Sequence, residues 1–186
     1  MKPKKKELII IERKWAMPNK WTFTIKPIAE LLKEEVTGGL WCDPFAGENG
    51  DKYAHVTNDL ANGGIDALKF LKKQKNKTFD GVLLDPPYSI TQAKQCYKGR
   101  GMELLDTKPT SLKYWADVKT EIARIVKPKG KAICFGWTSM GIGKNRGFEI
   151  KKILLVPHGG SKNDTLVTVE VKEDYERKYE KEKKRN

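Results

Sequence analysis

Hydrophobic residues in this chain form short runs that alternate between strand-like and helical spacing. Short apolar runs predict β-strands at residues 40–42, 54–58, 81–84, 131–137, 150–156 and 165–171. Apolar residues three and four apart predict α-helices at residues 27–36, 65–73 and 112–126. Strands that alternate with helices are typical of an α/β fold, a mostly parallel twisted sheet with helices on both faces. A short loop joins the last two strands, which favours an antiparallel pair at one edge of the sheet.

The length of 186 residues suits a single domain, 1–186, and the chain contains no internal repeat. A basic lead at residues 1–14 and a charged tail at 172–186 flank the patterned region. The charged start does not resemble a signal peptide, and no apolar run approaches membrane-spanning length. We therefore expect a cytoplasmic protein.

The charge balance is strongly basic. Lysine and arginine number 37 against 24 for aspartate and glutamate, which gives a formal net charge of +13. Such a surplus attracts polyanions, with nucleic acid as the first expectation and an anionic membrane as the second. A membrane partner would need an exposed basic amphipathic face, which the sequence does not show. The basic lead and the charged tail are explained equally well as contacts to a DNA backbone and as solvated ends.

Cysteine and histidine usage argues against a metal site. Cys42, Cys96 and Cys134 do not follow a zinc-binding spacing, and His55 lies far from His158 in the sequence. Cys42 and Cys134 lie in apolar runs, where a small, reduced and buried thiol is expected. We expect no bound metal.

Acidic residues stand at the ends of three predicted strands. These residues are Asp43, Asp59 and Asp85. In open α/β sheets, ligands bind beyond the carboxyl ends of the strands. The three carboxylates should therefore open onto one cleft.

The strongest motif follows the predicted strand at 81–84 and reads Asp85-Pro86-Pro87-Tyr88. Two successive prolines hold the backbone extended and remove two backbone donors, which leaves neighbouring carbonyls free as acceptors. Asp85 adds a carboxylate and Tyr88 an aromatic face. This combination suits a planar ring that carries an NH2 group, because the amine donates to the oxygens while the tyrosine stacks on the ring. The alternative is a plain turn with a solvent-facing aspartate and a packed tyrosine.

These residues carry a resemblance to the amino-methyltransferases of DNA. The tetrapeptide resembles their catalytic motif, residues 43–47 (DPFAG) resemble their S-adenosylmethionine loop, and residues 22–27 (TFTIKP) resemble a segment that precedes that loop. Small adenine-specific enzymes of phage and mobile elements, some of them paired with restriction enzymes, look most similar. The resemblance spans roughly residues 20–171 and implies a Rossmann-like class I methyltransferase fold. Larger members carry a separate target-recognition domain, for which this chain has no room. Target specificity then rests on short loops, a homodimer partner or another subunit, or it is loose.

The loop at 43–47 also has a physical reading of its own. Gly47 after a buried strand lets the backbone approach a ligand closely, and Phe45 can pack under the loop. Asp43 is placed to bind the amino-acid end of S-adenosylmethionine. The dinucleotide fingerprint G-x-G-x-x-G is absent, which argues against NAD. An ordinary tight strand-to-helix turn is the alternative.

Further cofactor contacts are expected at five positions. Asp59 is placed to accept hydrogen bonds from ribose hydroxyls; the alternatives are that Asn58 takes this role or that Asp59 faces solvent. By resemblance, Asp66 reads the adenine of the cofactor, although it is equally well placed to be a helix N-cap. The resemblance also implies that Trp21, Phe23 and Lys26 line the pocket; the two aromatics are equally well explained as core residues.

Nucleic-acid contacts are expected on exposed basic loops. Residues 89–110 form a long polar connection after Tyr88, which we interpret as a loop over the target rather than a plain connection. The candidate phosphate contacts are Lys94, Lys98, Arg100, Lys144 and Arg146.

The sequence thus predicts a site-specific enzyme that methylates the exocyclic N6 amine of adenine in DNA. Rivals with the same fold are an RNA adenine-N6 or a DNA cytosine-N4 methyltransferase and, less well matched to the charge, an enzyme that methylates a glutamine side chain. By resemblance, Asp at position 85 favours adenine N6, whereas Ser is commoner in cytosine-N4 enzymes. A nucleic-acid-binding protein without catalysis is the rival of a different class.

Overall fold

The structure is a computed structural model that describes residues 8–47, 50–89, 91, 111–160 and 162–174. Its strands are β1 (Ile10–Arg13), β2 (Trp41–Asp43), β3 (Val56–Thr57), β4 (Phe79–Leu84), β5 (Val126–Gly136), β6 (Phe148–Val156) and β7 (Thr165–Lys172). Its helices include α1 (Lys26–Glu35), α2 (Ala67–Lys73) and α3 (Leu112–Ile125).

All seven strands belong to one sheet, in the order β1-β6-β7-β5-β4-β2-β3. Neighbours pair in parallel except for β7, which is antiparallel to both β5 and β6. The predicted mostly parallel sheet and the antiparallel pairing of the last two strands are confirmed. The sequence places this pair at the edge of the sheet. In the structure β1 pairs with the outer side of β6, so β1 is the edge strand and the antiparallel pair lies next to it.

Helices cover both faces of the sheet. Successive side chains of a strand point to opposite faces, so each strand contributes to both layers of packing. On one side, Leu83 of β4 and Ile133 of β5 pack with the buried face of α1. On the other side, Val82 and Leu84 pack with buried side chains of α2 and α3. Burial of apolar side chains on both sides stabilises the sheet and fixes the positions of its strand ends.

Strand β1 falls within the segment that the sequence predicts to be only a basic lead. It pairs in parallel with β6, from Ile10 opposite Lys152 to Arg13 opposite Leu155. The Lys152 ammonium, which is 9% exposed, lies 3.0 Å from Glu34 of α1 and 3.4 Å from Glu12 of β1. This ion-pair cluster attaches β1 to the body of the fold.

The strand predicted at residues 131–137 is longer than expected at its start. Strand β5 begins at Val126, directly after α3, and a register shift in its pairing with β4 accommodates the extra residues. At the other end of the sheet, the strand expected at 54–58 is reduced to Val56–Thr57.

A buried carboxylate organises the loop that follows β5. Glu170 of β7 is fully buried, and its two carboxylate oxygens accept hydrogen bonds from the backbone N–H groups of Ile142 (2.5 Å) and Gly143 (3.1 Å). Gly141 has a φ of +50°, and a side chain there would collide with the Glu170 carboxylate. The loop is therefore fixed at this point by two hydrogen bonds that are shielded from water.

In the described part of the chain, no helix is both long enough and apolar enough to cross a membrane. The same residues bring together no group of three or more histidine, cysteine or acidic side chains that would hold a metal ion. Cys42 and Cys134 are free and buried, as the sequence predicts.

Candidate active site at the carboxyl ends of the strands

Three carboxylates meet where β2, β3 and β4 end. Asp43 is the last residue of β2, Asp59 follows β3 and Asp85 follows β4 directly. The charges of Asp85 and Asp59 both act on Asp43 and help to raise the pKa of its carboxyl group. The structure thus brings together the three acidic residues that the sequence places at strand ends.

Asp43 is completely buried and only half satisfied. Its Oδ1 accepts a hydrogen bond from the backbone N–H of Phe45 at 2.9 Å, whereas its Oδ2 has no hydrogen-bond partner among the described residues. Burial is the main cause that raises the pKa of Asp43 well above its ordinary value. A buried acceptor without a donor is costly, so the position is suited to a ligand that brings a donor or a positive charge.

Asn58 and Gly47 shape the loop that follows β2. The side-chain amide of Asn58 donates to the carbonyls of Pro44 (3.2 Å) and Ile65 (2.9 Å), so it joins the loops that follow β2 and β3. Gly47 has a φ of +57°, which favours glycine, and a Cβ built there meets no described atom within 4 Å. Phe45 packs on Trp115 of α3, with ring centroids 5.8 Å apart. The loop thus presents backbone to an open space, as a ligand-binding turn requires.

Asp59 and Asp66 have different surroundings. The Oδ2 of Asp59 accepts a hydrogen bond from the backbone N–H of Gly47 at 3.1 Å, so this half-buried carboxylate faces the loop after β2. Asp66 is the N-cap of α2: its Oδ1 accepts from the N–H of Lys69 at 3.0 Å and its Oδ2 from the Tyr114 hydroxyl at 2.9 Å. The helix-cap interpretation of Asp66 is therefore correct, and both of its oxygens are engaged within the protein.

The tetrapeptide forms a hydrogen-bonded unit just after β4. The hydroxyl of Tyr88 donates to Oδ1 of the half-buried Asp85, and the Thr22 side chain hydrogen-bonds with both residues. Burial raises the pKa of Asp85 to about 6, and the hydrogen bonds from Tyr88 and Thr22 oppose that rise. Burial and then the Asp85 charge also raise the pKa of the Tyr88 hydroxyl, so this group stays protonated and acts as a donor. Pro86 and Pro87 connect the two residues in a non-helical, half-buried segment.

Two neighbours of the tetrapeptide are not among the residues that sequence reasoning selected. Thr22 begins the segment 22–27 (TFTIKP), and the resemblance of that segment does not single out the Thr22 hydroxyl. Trp137 follows β5, and its ring lies 5.8 Å from the Tyr88 ring at an interplanar angle of 61°. The signal in the sequence is an aromatic residue at the end of the predicted strand 131–137, because parallel strands of one sheet end at the same edge, as β4 and β5 do.

The aromatic residues proposed to line the cofactor pocket are only partly exposed. Phe23 is 6% exposed and packs against Tyr53 and Phe135, with ring centroids 6.0 and 5.0 Å away, so it is a core residue. Trp21 is half-buried, and the Lys20 ammonium lies 4.2 Å from its ring centroid. Lys26 is exposed at the first position of α1.

The basic candidates divide into three groups. Lys94, Lys98 and Arg100 lie outside the described residues. Lys144 is exposed in the turn Lys144–Arg146. Arg146 instead joins this turn to α3, because its guanidinium donates to Thr120 Oγ1 (3.1 Å) and to the carbonyl of Ala116 (3.2 Å).

Comparison with known proteins identifies the fold. No protein-family model matches the chain, and no curated protein is similar to it in sequence. The chain superposes with a TM-score of 0.54 and 13% identity on the 1,6-didemethyltoxoflavin-N1-methyltransferase of Burkholderia thailandensis, covering 80% of this chain and 78% of that one. That structure contains 1,6-didemethyltoxoflavin and S-adenosylhomocysteine. TrmN from Thermus thermophilus gives a TM-score of 0.49 at 16% identity, over 80% of this chain and 49% of that one. The fold is that of the Rossmann-like class I S-adenosylmethionine-dependent methyltransferases, as predicted.

Proposed function

We propose that this chain is an S-adenosylmethionine-dependent methyltransferase that methylates the N6 amine of adenine in DNA. The observation that carries the proposal is the position of Asp85. Its half-buried carboxylate follows β4 directly, hydrogen-bonded to Tyr88 and within electrostatic range of the buried Asp43 carboxylate at the end of β2. An acceptor for an amine thus stands beside a candidate cofactor pocket.

The residues at the ends of β2 and β3 fit the cofactor. The unpaired Oδ2 of Asp43 is a place for the ammonium of the methionine moiety, whose charge would also relieve the cost of burying this carboxylate. The open side of Gly47 admits the cofactor to the loop backbone. Asp59 is placed for ribose hydroxyls. When bound, the cofactor supplies a sulfonium with a reactive methyl group.

The chain's own contribution is to position the target amine. The amine of adenine is a poor nucleophile because its lone pair is delocalised into the ring. Hydrogen bonds from the amine to Asp85 and to a carbonyl near Pro86 favour tetrahedral geometry at nitrogen and stabilise the positive charge that develops there. As the N–C bond forms, the S–C bond breaks, and the excess proton on nitrogen passes to Asp85 or to water. A carboxylate with a pKa of about 6 can accept that proton and release it again at neutral pH.

The choice of nucleic acid as substrate is supported by charge and by the tetrapeptide. The net charge of +13 favours a polyanion. Tyr88 offers a ring on which a base can stack, and in a duplex the base must first leave the stack at a cost of a few kcal/mol. Aspartate at position 85 favours adenine over cytosine by resemblance.

The test is methyl transfer with identification of the product. The protein is incubated with tritiated S-adenosylmethionine and unmethylated DNA or RNA, and the labelled polymer is digested to nucleosides. N6-methyladenine in DNA is the expected product; label on RNA or on cytosine would change the substrate while keeping the chemistry. Cofactor binding without label in either polymer would refute the proposal. Asp85→Ala should lose methyl transfer. Asp80→Asn is the control for this variant, because Asp80 lies near the start of β4, at the opposite end of the strand from Asp85.

A further inference from the structure

Trp137 is an exposed tryptophan next to the catalytic tetrapeptide. It is 40% exposed, although large aromatic residues are usually well buried. Its ring meets Tyr88 edge to face, and Tyr88 itself packs against the core beneath α1. From the inside outward, the structure therefore presents Asp85, then the Tyr88 ring, then the Trp137 ring.

The backbone is fixed directly before Trp137 and again five residues after it. Gly136, at the end of β5, pairs with Leu166 of β7. Beyond Trp137, the N–H groups of Ile142 and Gly143 are held by the buried carboxylate of Glu170. A large ring held in place at the mouth of a site binds a planar ligand at a lower entropic cost than a mobile one.

We propose that Trp137 is a substrate-binding residue that extends the aromatic surface of Tyr88 against which the target base binds. This inference rests on the proposed function and adds a residue to its site. The target adenine contacts the faces or edges of both rings while its amine reaches Asp85. Stacking does not depend on which hydrogen-bonding groups a base carries, so Trp137 contributes affinity for any base. Asp85 selects a base that carries an amine.

The test compares Trp137→Ala and Trp137→Phe with Trp15→Ala. Trp15 is the matched control because it is 60% exposed and follows β1, which lies three strands away from β5, about 14 Å at ordinary strand spacing. Initial rates of methyl transfer are measured against the concentration of sheared unmethylated genomic DNA. Cofactor affinity and thermal unfolding are measured on the same preparations.

We expect Trp137→Ala to raise the KM for DNA roughly 5- to 150-fold, the loss that removal of one base-stacking ring produces. Trp137→Phe should recover most of this affinity, and Trp15→Ala should leave KM unchanged. Cofactor affinity should stay within about twofold in all variants. A KM for DNA within about twofold of wild type in a folded Trp137→Ala protein would overturn the inference and leave the proposed function standing.

A second readout separates failure of this inference from failure of the proposed function. If the wild-type protein transfers no methyl group to DNA or RNA, the proposed function fails, and Trp137 is judged by fluorescence. A short oligo-dA strand is titrated into wild type, Trp15→Phe and Trp137→Phe. Saturable quenching that only Trp137→Phe loses supports Trp137 as a base-stacking residue, whereas equal or absent quenching in all three overturns it.

Discussion

The Tyr88 hydroxyl donates a hydrogen bond to the Asp85 carboxylate three residues earlier in the chain. Together with Thr22, it provides donors to a carboxylate that burial would otherwise leave poorly solvated. An exocyclic amine is also a donor, so in the proposed reaction the amine of adenine replaces one of these hydrogen bonds without leaving Asp85 unpaired. The free protein thus holds its acceptor in place with a side chain that the substrate can substitute.

The pH dependence of methyl transfer should report the ionisation of Asp85. Only the ionised carboxylate stabilises the positive charge that develops on the amine and takes its proton, and burial raises the pKa of Asp85 to about 6. We therefore expect kcat/KM for DNA to be constant above pH 7 and to fall about tenfold per pH unit below pH 6. Cofactor affinity measured over the same range separates this effect from the titration of Asp43. A kcat/KM that stays constant down to pH 5 would contradict the assignment.

The Asp85→Asn substitution should stabilise the protein at neutral pH. The folded-state pKa of about 6 lies above the ordinary value of 3.8, so the folded protein binds the proton more tightly than the unfolded chain. Wild-type stability therefore falls as pH rises from 3.8 to about 6 and stays lowered above that range. Asparagine lacks this penalty and still accepts from Tyr88. We expect a gain in the free energy of unfolding of about 1–3 kcal/mol at pH 7.5.

Urea unfolding of Asp85→Asn and Asp80→Asn at two pH values checks this prediction. The gain for Asp85→Asn should shrink as the pH falls below 6 and vanish below about pH 3, where the wild-type carboxyl is protonated in both states. Asp80→Asn should have the opposite sign at pH 7.5, because Lys127 and the N–H of Leu40 lower the pKa of Asp80. Loss of stability in Asp85→Asn at neutral pH would show that Asp85 is a structural residue.

Asp43→Asn should weaken cofactor binding without disturbing the loop. The asparagine side chain can still accept from the N–H of Phe45, but it no longer offers a negative charge to the ligand. We expect the dissociation constant for S-adenosylmethionine, measured by calorimetry, to rise at least about tenfold. Unchanged affinity in the folded variant would remove Asp43 from the proposed pocket. Asp80→Asn again serves as the control.

Lys144 and Arg146 should respond differently to alanine substitution, although both are candidate phosphate contacts. Arg146→Ala removes hydrogen bonds to Thr120 and Ala116, so it should lower the free energy of unfolding by about 1–3 kcal/mol. Lys144→Ala should leave stability unchanged and reduce the salt dependence of DNA binding, with a log–log slope smaller by about 0.9. Equal stability loss in both variants, or an unchanged salt slope in Lys144→Ala, would contradict this division.

The sequence predicts the strand ends well because their chemistry is local. Asp43 and Asp85 each stand at the end of an apolar run and directly before a proline, and β2 and β4 end there. The pattern does not predict strand β1, because its two isoleucines and the apolar residues before them form one unbroken run with no alternation of apolar and polar positions. Only pairing with β6 and the ion pairs around Lys152 make this segment a strand.

Burial and side-chain partners depend on tertiary neighbours and were harder to predict. Glu170 is a charged residue within an apolar run, yet it is buried because β7 lies between β5 and β6. Trp137 is separated from Tyr88 by 49 positions in the sequence and meets it only because β4 and β5 pair in parallel. The choice between helix cap and cofactor contact for Asp66 likewise required the position of Tyr114 on α3.

The most direct test of the central claim is the nucleoside composition of DNA from cells that express the protein. Wild type, Asp85→Ala and Asp80→Asn are produced in a bacterium that lacks its own adenine methylation. The DNA is then digested and analysed by mass spectrometry. We predict N6-methyladenine with wild type and with Asp80→Asn, and none above background with Asp85→Ala. An absence of N6-methyladenine with folded wild-type protein, or an equal amount with Asp85→Ala, would contradict the account.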